Sequence, residues 1–366
     1  MRVLLTIHHH LDPNSGAPGV TWQLAQALRA AGHEAAIFSW DDLPARLGPR
    51  AREALFPEFV AARIARARVD VVDAASCDPW LWALVRRGGP VLVTRSHGLE
   101  HTFWDARREQ AHVDGEAIPL LERLYHGGVR LRESAISLRH ADAALFLNRA
   151  DRDRAVRDLG VAGDRAHVVA NAVADGFLAL PAPRPDAGGP LRLAQVGSWA
   201  ARKGSRVIAA ALGQSLAEGR VTLALLGAGV PARQVLAAFP AAARERVLVV
   251  PQYERSELPA LLASNEVLLL PSLAEGFSLA LLEGMACGLA PVATSVGSAP
   301  DVLTDGSDAL LVAPGDARAL AAAVDRLERD RDLLARLRTA AHRTAQRFSW
   351  ERVAADTVAL YKRASP

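Results

Sequence analysis

Short, unbroken apolar runs alternate along the chain with longer segments in which apolar residues recur every three or four positions. In the first half RVLLTI (2–7), AAIFSW (35–40), VDVVDA (69–74), PVLVTRS (90–96), ADAALFLN (141–148) and RAHVVAN (165–171) read as strands. Helical patterns lie between them: VTWQLAQALRAAG, which stops at Gly32, residues 51–67, a short helix from Asp78, and an arginine-rich stretch over 120–140. Strands without polar alternation must be covered on both faces, which predicts parallel sheet with helices on either side. After residue 190 the rhythm restarts with LRLAQVG (191–197), RVTLALLG (220–227), RVLVVP (246–251), NEVLLLPS (265–272), LAPVATS (289–295) and ALLVAP (309–314).

Between the two series lies LALPAPRPDAGGP, whose proline and glycine content fits a linker and no core. The expected fold class is α/β, with two Rossmann-like doubly wound domains facing a central cleft. Their expected limits are 1–178 and 191–345, joined by a linker at 179–190 and followed by 346–366. That last part contains FSWERVAADTVALYKRAS, an amphipathic helix whose pattern does not say where it packs. Ligands of such sheets collect beyond the carboxyl ends of the strands, so the search for chemistry narrows to those loops.

Composition changes this picture in two places. Of 43 basic residues only Lys203 and Lys362 are lysines, so a lysine in the glycine-flanked loop Arg202-Lys203-Gly204 stands out. A lysine supplies a compact point charge that the planar arginine fork does not reproduce. The net charge is a modest +3, and no nucleic-acid partner is expected. The apolar runs are far shorter than the roughly 20 residues of a membrane span. MRVLLTIHHH lacks the apolar core and cleavage site of a secretory signal. Cys77 and Cys287 are too few for a disulfide framework and fit a reducing cytoplasm.

Among the strand-end loops, Gly16 and Gly19 precede a helix and can bring backbone amides near an anion, or can simply form a turn. The triplet His8-His9-His10 points to different sides and makes a poor metal clamp. His97 follows the strand PVLVTRS, and HGLEH lacks the order of a zinc HExxH site. GAGVPA (227–232) meets G-x-G-x-x-A only superficially, because Pro231 interrupts it in the wrong unit of the fold. The pairs Asp151/Asp153 and Asp330/Asp332 lie in arginine-rich helical stretches and read as solvated surface.

Two loops of the second half remain, VGSWAARKG and AEGFSLALLEG. Arg202 and Lys203 can meet a diphosphate. Gly276 frees the backbone to approach a ligand, and the amides of Phe277, Ser278 and Leu279 lie at a helix start that favours anionic oxygens. Simple capping accounts for neither Glu275 nor Glu283, since the capping-box position after Ser278 is Leu281. Carboxylates on both sides of a phosphate site read as hydroxyl binders around a nucleotide-sugar.

The set and order of these segments resemble the retaining glycosyltransferases of the GT-B fold, specifically glycosyltransferase family 4. The segments are the Gly16–Gly19 loop, Ser96-His97-Gly98, VANAV (169–173), VGSWAARKG, PSLAEGFSLALLE, GSAPDVLTDG, LVAPGD and FSWERV. The resemblance implies that Arg202 and Lys203 neutralise the donor diphosphate. Glu275 would bind hydroxyls of the donor sugar beside the Gly276–Leu279 backbone, and Glu283 the nucleotide ribose. His97 would hydrogen-bond the transferred sugar, Gly16 and Gly19 would shape the first-domain donor loop, and the C-terminal helix would cross back to the first domain. The donor would be a nucleoside-diphosphate sugar of UDP or GDP type and the acceptor a hydroxyl, with the leaving diphosphate acting as base and neither metal nor cofactor required. Ser198 stands where the family often has arginine, and PQYE (251–254) lacks a glycine common near the base site. Two other readings stay open: a glycoside hydrolase using paired carboxylates, and a non-catalytic binder of nucleotide-sugar or carbohydrate. The arginine-rich stretches 46–68 and 123–139 are either solvated helix faces or a peripheral contact with anionic lipid at the inner membrane face.

Overall fold

The computed structural model describes residues 1–183 and 188–365. Residues 184–187 of the expected linker lie outside them.

The twelve apolar runs form the strands of two sheets. The first contains β1 (Arg2–Ile7), β2 (Glu34–Ser39), β3 (Val71–Ala75), β4 (Val91–Arg95), β5 (Ala143–Phe146) and β6 (Ala166–Val168), in the order β2-β1-β3-β4-β5-β6. The second contains β7 (Leu191–Val196), β8 (Val221–Leu226), β9 (Val247–Val250), β10 (Val267–Leu270), β11 (Ala290–Thr294) and β12 (Leu310–Val312), in the order β12-β11-β10-β7-β8-β9. Every pairing between them is parallel, with registers such as Leu4 opposite Val72 and Leu193 opposite Leu223. Each order reverses beside the first strand, β1 or β7, the switch point at which doubly wound sheets open to ligands. Helices cover both faces, and β3, β4, β5, β10 and β11 are buried along their whole length. This burial explains why their sequences carry no polar alternation.

By packing, the chain divides into unit 1, Met1–Asn171 with Trp350–Pro366, and unit 2, Ala172–Ser349. Residues 172–178, placed in the first domain from the sequence, pack with unit 2, where the amide of Val173 donates to the carbonyl of Phe348 at 3.2 Å. The core of unit 2 runs through Leu193, Leu223, Leu269 and Val292 to the helices that carry Leu212 and Leu334.

The C-terminal helix Trp350–Ala364 belongs to unit 1 and is fixed there by a buried polar cluster. Asp73 on β3 and Arg95 on β4 form an ion pair at 2.6 Å, with side chains 1% and 5% exposed. The Tyr361 hydroxyl donates to the same Asp73 oxygen at 2.6 Å, and Arg95 reaches Thr357 at 3.4 Å. Burial beside Asp73 pushes the Tyr361 hydroxyl far above its ordinary pKa, so it stays a donor.

One sequence reading holds with added detail, and another needs correction. The run over 120–140 is helical but not uniform: Leu120–Leu124 passes into a π-helical stretch, Tyr125–Arg130, before Leu131–His140. Asp151 is not surface. It is buried and accepts from the Thr102 hydroxyl at 2.7 Å, Asn148 Nδ2 at 3.0 Å and the Leu99 amide at 3.2 Å. A carboxylate with three donors is stable out of water, and this one braces the loop just after His97. Asp330 does remain exposed and caps the helix Arg331–Ala345 through the Leu333 amide.

Candidate functional site

The loops after β7 and β10 interlock in unit 2. Residues Ala201–Lys203 make one tight turn that ends at Gly204, where φ is +79°, and the helix Ser205–Ala217 begins there. A Cβ on Gly204 would run into the carbonyl of Pro271, so only glycine lets the two loops come this close. The contact is sealed by the Leu273 amide donating to the Arg202 carbonyl at 2.8 Å, and by Arg202 Nη1 donating to the Ala274 carbonyl at 3.1 Å.

This joint sets the side chains. Lys203 Nζ lies 2.7 and 3.0 Å from the two oxygens of Glu275, and Arg202 Nη1 lies 3.4 Å from Oε2. The cations expected to face a diphosphate and the carboxylate expected to face a sugar are thus one ion-paired group. Glu275 is 13% exposed and Arg202 45%, so the group sits at the surface of unit 2 with its charges within reach of a ligand. Beyond it Phe277 is buried, Ser278 caps the helix Leu279–Ala286 by accepting from the Leu281 amide at 3.3 Å, and Leu279 is the first helical residue. The leading amides of that helix have no carbonyl within it to pair with, and its dipole adds positive potential at the same end.

A third loop, unread from the sequence as a structural support, holds the second from behind. The Ser298 amide donates to the Gly276 carbonyl at 3.1 Å, and Gly297, with φ +55°, has no room for a Cβ against the carbonyl of Glu275. Replacing Gly297 by alanine is expected to cost about 1–3 kcal/mol. It should also weaken nucleotide binding by displacing Gly276 and the helix start that follows it. Chemical denaturation together with nucleotide titration checks both, and unchanged binding in a folded variant would contradict the bracing role.

Glu283 lies on the helix and is nearly fully buried, where desolvation pushes its carboxyl up from the ordinary range and Arg255 opposes the shift. Arg255, on the loop after β9, donates from Nη2 to Glu283 Oε1 at 2.5 Å. The sequence reading missed this partner, which is 28 residues away and carries no motif of its own. Tyr253, on the same loop, packs against Gly227, and burial beside Glu283 pushes its hydroxyl up to about 12.

Unit 1 holds the other expected residues. Gly16 is the N-cap of the helix Ala17–Ala30. Gly19 lies within its first turn, where a Cβ would meet the Pro13 carbonyl oxygen at 2.8 Å, so its glycine has a packing reason inside the loop itself. His8 bonds the fully buried Asp78 at 2.7 Å, while His10 bonds Asp41 at 2.6 Å, so the two imidazoles have separate carboxylate partners. His97 follows β4 with its Nδ1 buried and without a hydrogen-bond partner among the described residues. Burial, then the positive charges of Arg95, His8 and His9, push its pKa down to about 3.

A depressed imidazole pKa means that the folded state resists a proton which the unfolded chain accepts near 6.5. The stabilising contribution of His97 is therefore complete above that value and is lost as pH falls from 6.5 toward 3. Thermal denaturation across pH 7.5 to 4.5 is expected to show a shallower acid loss in His97→Gln than in the parent. Parallel curves would overturn the assignment.

Comparison with known proteins fits this geometry. The family model described as Glycosyltransferase Family 4 matches residues 14–176, and that described as Glycosyl transferases group 1 matches residues 190–330. A stretch of 110 residues is 46% identical to an MMP α-(1→4)-mannosyltransferase of Mycolicibacterium hassiacum, covering 30% of this chain and 27% of that one. Another of 114 residues is 35% identical to a D-inositol 3-phosphate glycosyltransferase of Streptomyces bingchenggensis, covering 31% and 25%. The similarity thus spans about a quarter of the length of each of these relatives. In fold, the chain is similar to sucrose-phosphate synthase from Thermosynechococcus elongatus, with a TM-score of 0.79, 22% identity and 99% of both chains covered. Anabaena HepE, solved in complex with UDP, gives a TM-score of 0.72 at 17% identity, over 99% of this chain and 100% of that one.

Proposed function

We propose, for a chain that belongs to glycosyltransferase family 4 and has the GT-B fold of two Rossmann-like units, transfer of a sugar from a nucleoside-diphosphate sugar to an acceptor hydroxyl with retention of configuration. The observation that carries this reading is the single loop cluster of unit 2. It gathers Arg202, Lys203, Glu275 and the helix start at Ser278 at strand ends beside the switch point, with Glu283 farther along that same helix. A donor of the UDP or GDP type is supported further by a neighbour of the same fold, HepE, solved with UDP-glucose.

In this reaction the bond between the sugar's anomeric carbon and the diphosphate oxygen breaks, and negative charge builds on the diphosphate. Lys203, Arg202 and the leading amides of the helix are placed to stabilise that charge as it develops, which lowers the barrier more than the ground state. Glu275 holds sugar hydroxyls and Glu283 the ribose. His97, neutral at physiological pH, is the expected hydrogen-bonding partner of the transferred sugar. The acceptor oxygen bonds to the anomeric carbon on the face the diphosphate leaves, and its proton passes to the departing phosphate oxygen. The side-chain cations and the helix end supply the positive potential, so transfer is expected to persist in the presence of a chelator.

The acceptor side belongs to unit 1, where Leu120, Leu121 and Leu124 are 65%, 75% and 58% exposed around Arg123. Among the described residues no helix is long and apolar enough to cross a membrane. Exposed leucines with an arginine suit peripheral contact with anionic lipid. Flotation with anionic vesicles at low salt tests that part, and its absence removes lipid from the reading.

The central test is a thermal-shift screen of nucleotides and nucleotide-sugars, followed by transfer assays with the donors that stabilise the fold. Stabilisation by a nucleoside diphosphate and by its sugar conjugate is expected. A protein that no nucleotide stabilises, or that cleaves simple glycosides without one, would sink the proposal.

A further inference from the structure

Glu283 is a buried carboxylate with an unequal environment at its two oxygens. Oε1 accepts from Arg255 Nη2 at 2.5 Å, and no other group among the described residues donates to Glu283. Its side chain is 7% exposed and that of Arg255 18%. The pair therefore lies in a low-dielectric setting where a lone carboxylate pays a heavy desolvation penalty. Arg255 comes from the short turn Arg255–Glu257, which the Glu254 amide fixes by donating to Glu257 Oε2 at 2.8 Å. The guanidinium is thus delivered from a separate loop that is itself tied down.

We propose that Arg255 is a positioning residue for the donor nucleotide: by occupying one oxygen of Glu283 it fixes the carboxylate as an anion, with the other oxygen left for the ribose hydroxyls. The inference rests on the donor reading above and adds to it the residue that makes the ribose contact selective. An ionised carboxylate accepts from a hydroxyl about twice as strongly as a neutral group does, and one fixed orientation spares the cost of ordering it on binding. Burial pushes the Glu283 carboxyl up, Arg255 opposes this, and the other ionisable groups near it, Tyr253 and Cys287, are both pushed up to about 12 and so neutral at physiological pH. Arg255 is then the cation that sets the charge of Glu283.

The test measures binding of UDP and GDP, each beside its 2′,3′-dideoxy counterpart, to the full chain and to Arg255→Met and Arg255→Gln. The parent is expected to prefer the ribonucleotide at least tenfold. In Arg255→Met that preference should fall toward one, because ribonucleotide binding weakens about tenfold while dideoxynucleotide binding hardly moves. In this variant the ratio of ribonucleotide to dideoxynucleotide affinity should also fall further as pH drops and Glu283, without its partner, takes up a proton, where the parent's ratio stays flat. Ionisation of the terminal phosphate at about pH 6 affects both nucleotides alike and cancels from the ratio. Arg255→Gln keeps a neutral donor in place and should fall between the two, which guards against a variant that fails to fold. A folded variant that keeps the parental preference at every pH overturns the role of Arg255 alone. A parent that binds no nucleotide, or binds both sugars equally, overturns the donor reading and this inference with it.

Discussion

Lys203→Ala is expected to lower kcat/KM for glycosyl transfer by about 10²–10³-fold, or roughly 3–4 kcal/mol of transition-state stabilisation. Lys203 lies on a turn pinned through Gly204 to the Pro271 loop, so its charge is held in place before any ligand arrives. It is bonded to both oxygens of Glu275, and the substitution removes two partners at once: the diphosphate loses a cation, and Glu275 loses the group that orients it. Arg202, at 3.4 Å from the same carboxylate, retains part of the potential and limits the loss. Lys203→Arg restores the charge but not the compact geometry, so partial recovery is expected. Glu275→Gln gives the contrast that separates this account from simple electrostatic repair. Removing its charge releases Lys203 and Arg202 toward phosphate, so the free nucleoside diphosphate should bind as well as before or more tightly, while sugar transfer falls. Titration calorimetry with the nucleotide and initial rates with the sugar donor measure the two arms. If Glu275→Gln weakened nucleotide binding and transfer equally, the shared ion pair would not have the role given to it.

The second large effect concerns stability. Asp73→Ala leaves the Arg95 guanidinium buried without its counter-charge and removes the acceptor of the Tyr361 hydroxyl. Breaking one side of a buried pair costs about 3–5 kcal/mol. Urea denaturation should show that loss in the transition of unit 1, and amide exchange should show reduced protection along Trp350–Ala364. A variant that removes both charges and the tyrosine hydroxyl together, Asp73→Leu with Arg95→Met and Tyr361→Phe, should recover part of the loss, since no charge is then left stranded. Exchange at the C-terminal helix that is unchanged in Asp73→Ala would show that apolar packing alone holds it.

The strands were legible because parallel sheets bury both faces and leave continuous apolar runs, and that signal is local. Runs such as VLLL at β10 and AALF at β5 could be read without knowing their neighbours. The loop motifs of unit 2 were legible for a different reason: a rare lysine in an arginine-rich chain and two glutamates that helix capping does not explain called for a ligand. What could not be read is long-range. Asp151 looked like one more acid in an arginine-rich helix, and its burial depends on Thr102 and Leu99, some fifty residues earlier. Arg255 is one arginine among many until the fold places it on Glu283. Gly19 could be read toward a ligand or as a plain turn, and the close approach of the Pro13 carbonyl that leaves it no room for a side chain was not visible in the sequence. The amphipathic pattern of the last helix shows that one face is buried, but its docking on unit 1 was carried by the family resemblance and not by periodicity.

The division of unit 1 into two sequence segments bears on biosynthesis. Its sheet is translated early, whereas Thr357 and Tyr361, which complete the Asp73–Arg95 cluster, are added only after Ser349 has closed unit 2. On the ribosome, unit 2 can reach its native contacts while the earlier-made sheet still lacks a covering helix, so the usual amino-to-carboxyl order of maturation is inverted. Stalled nascent chains ending before Trp350 are therefore where protease sensitivity of β3 and β4 should be greatest.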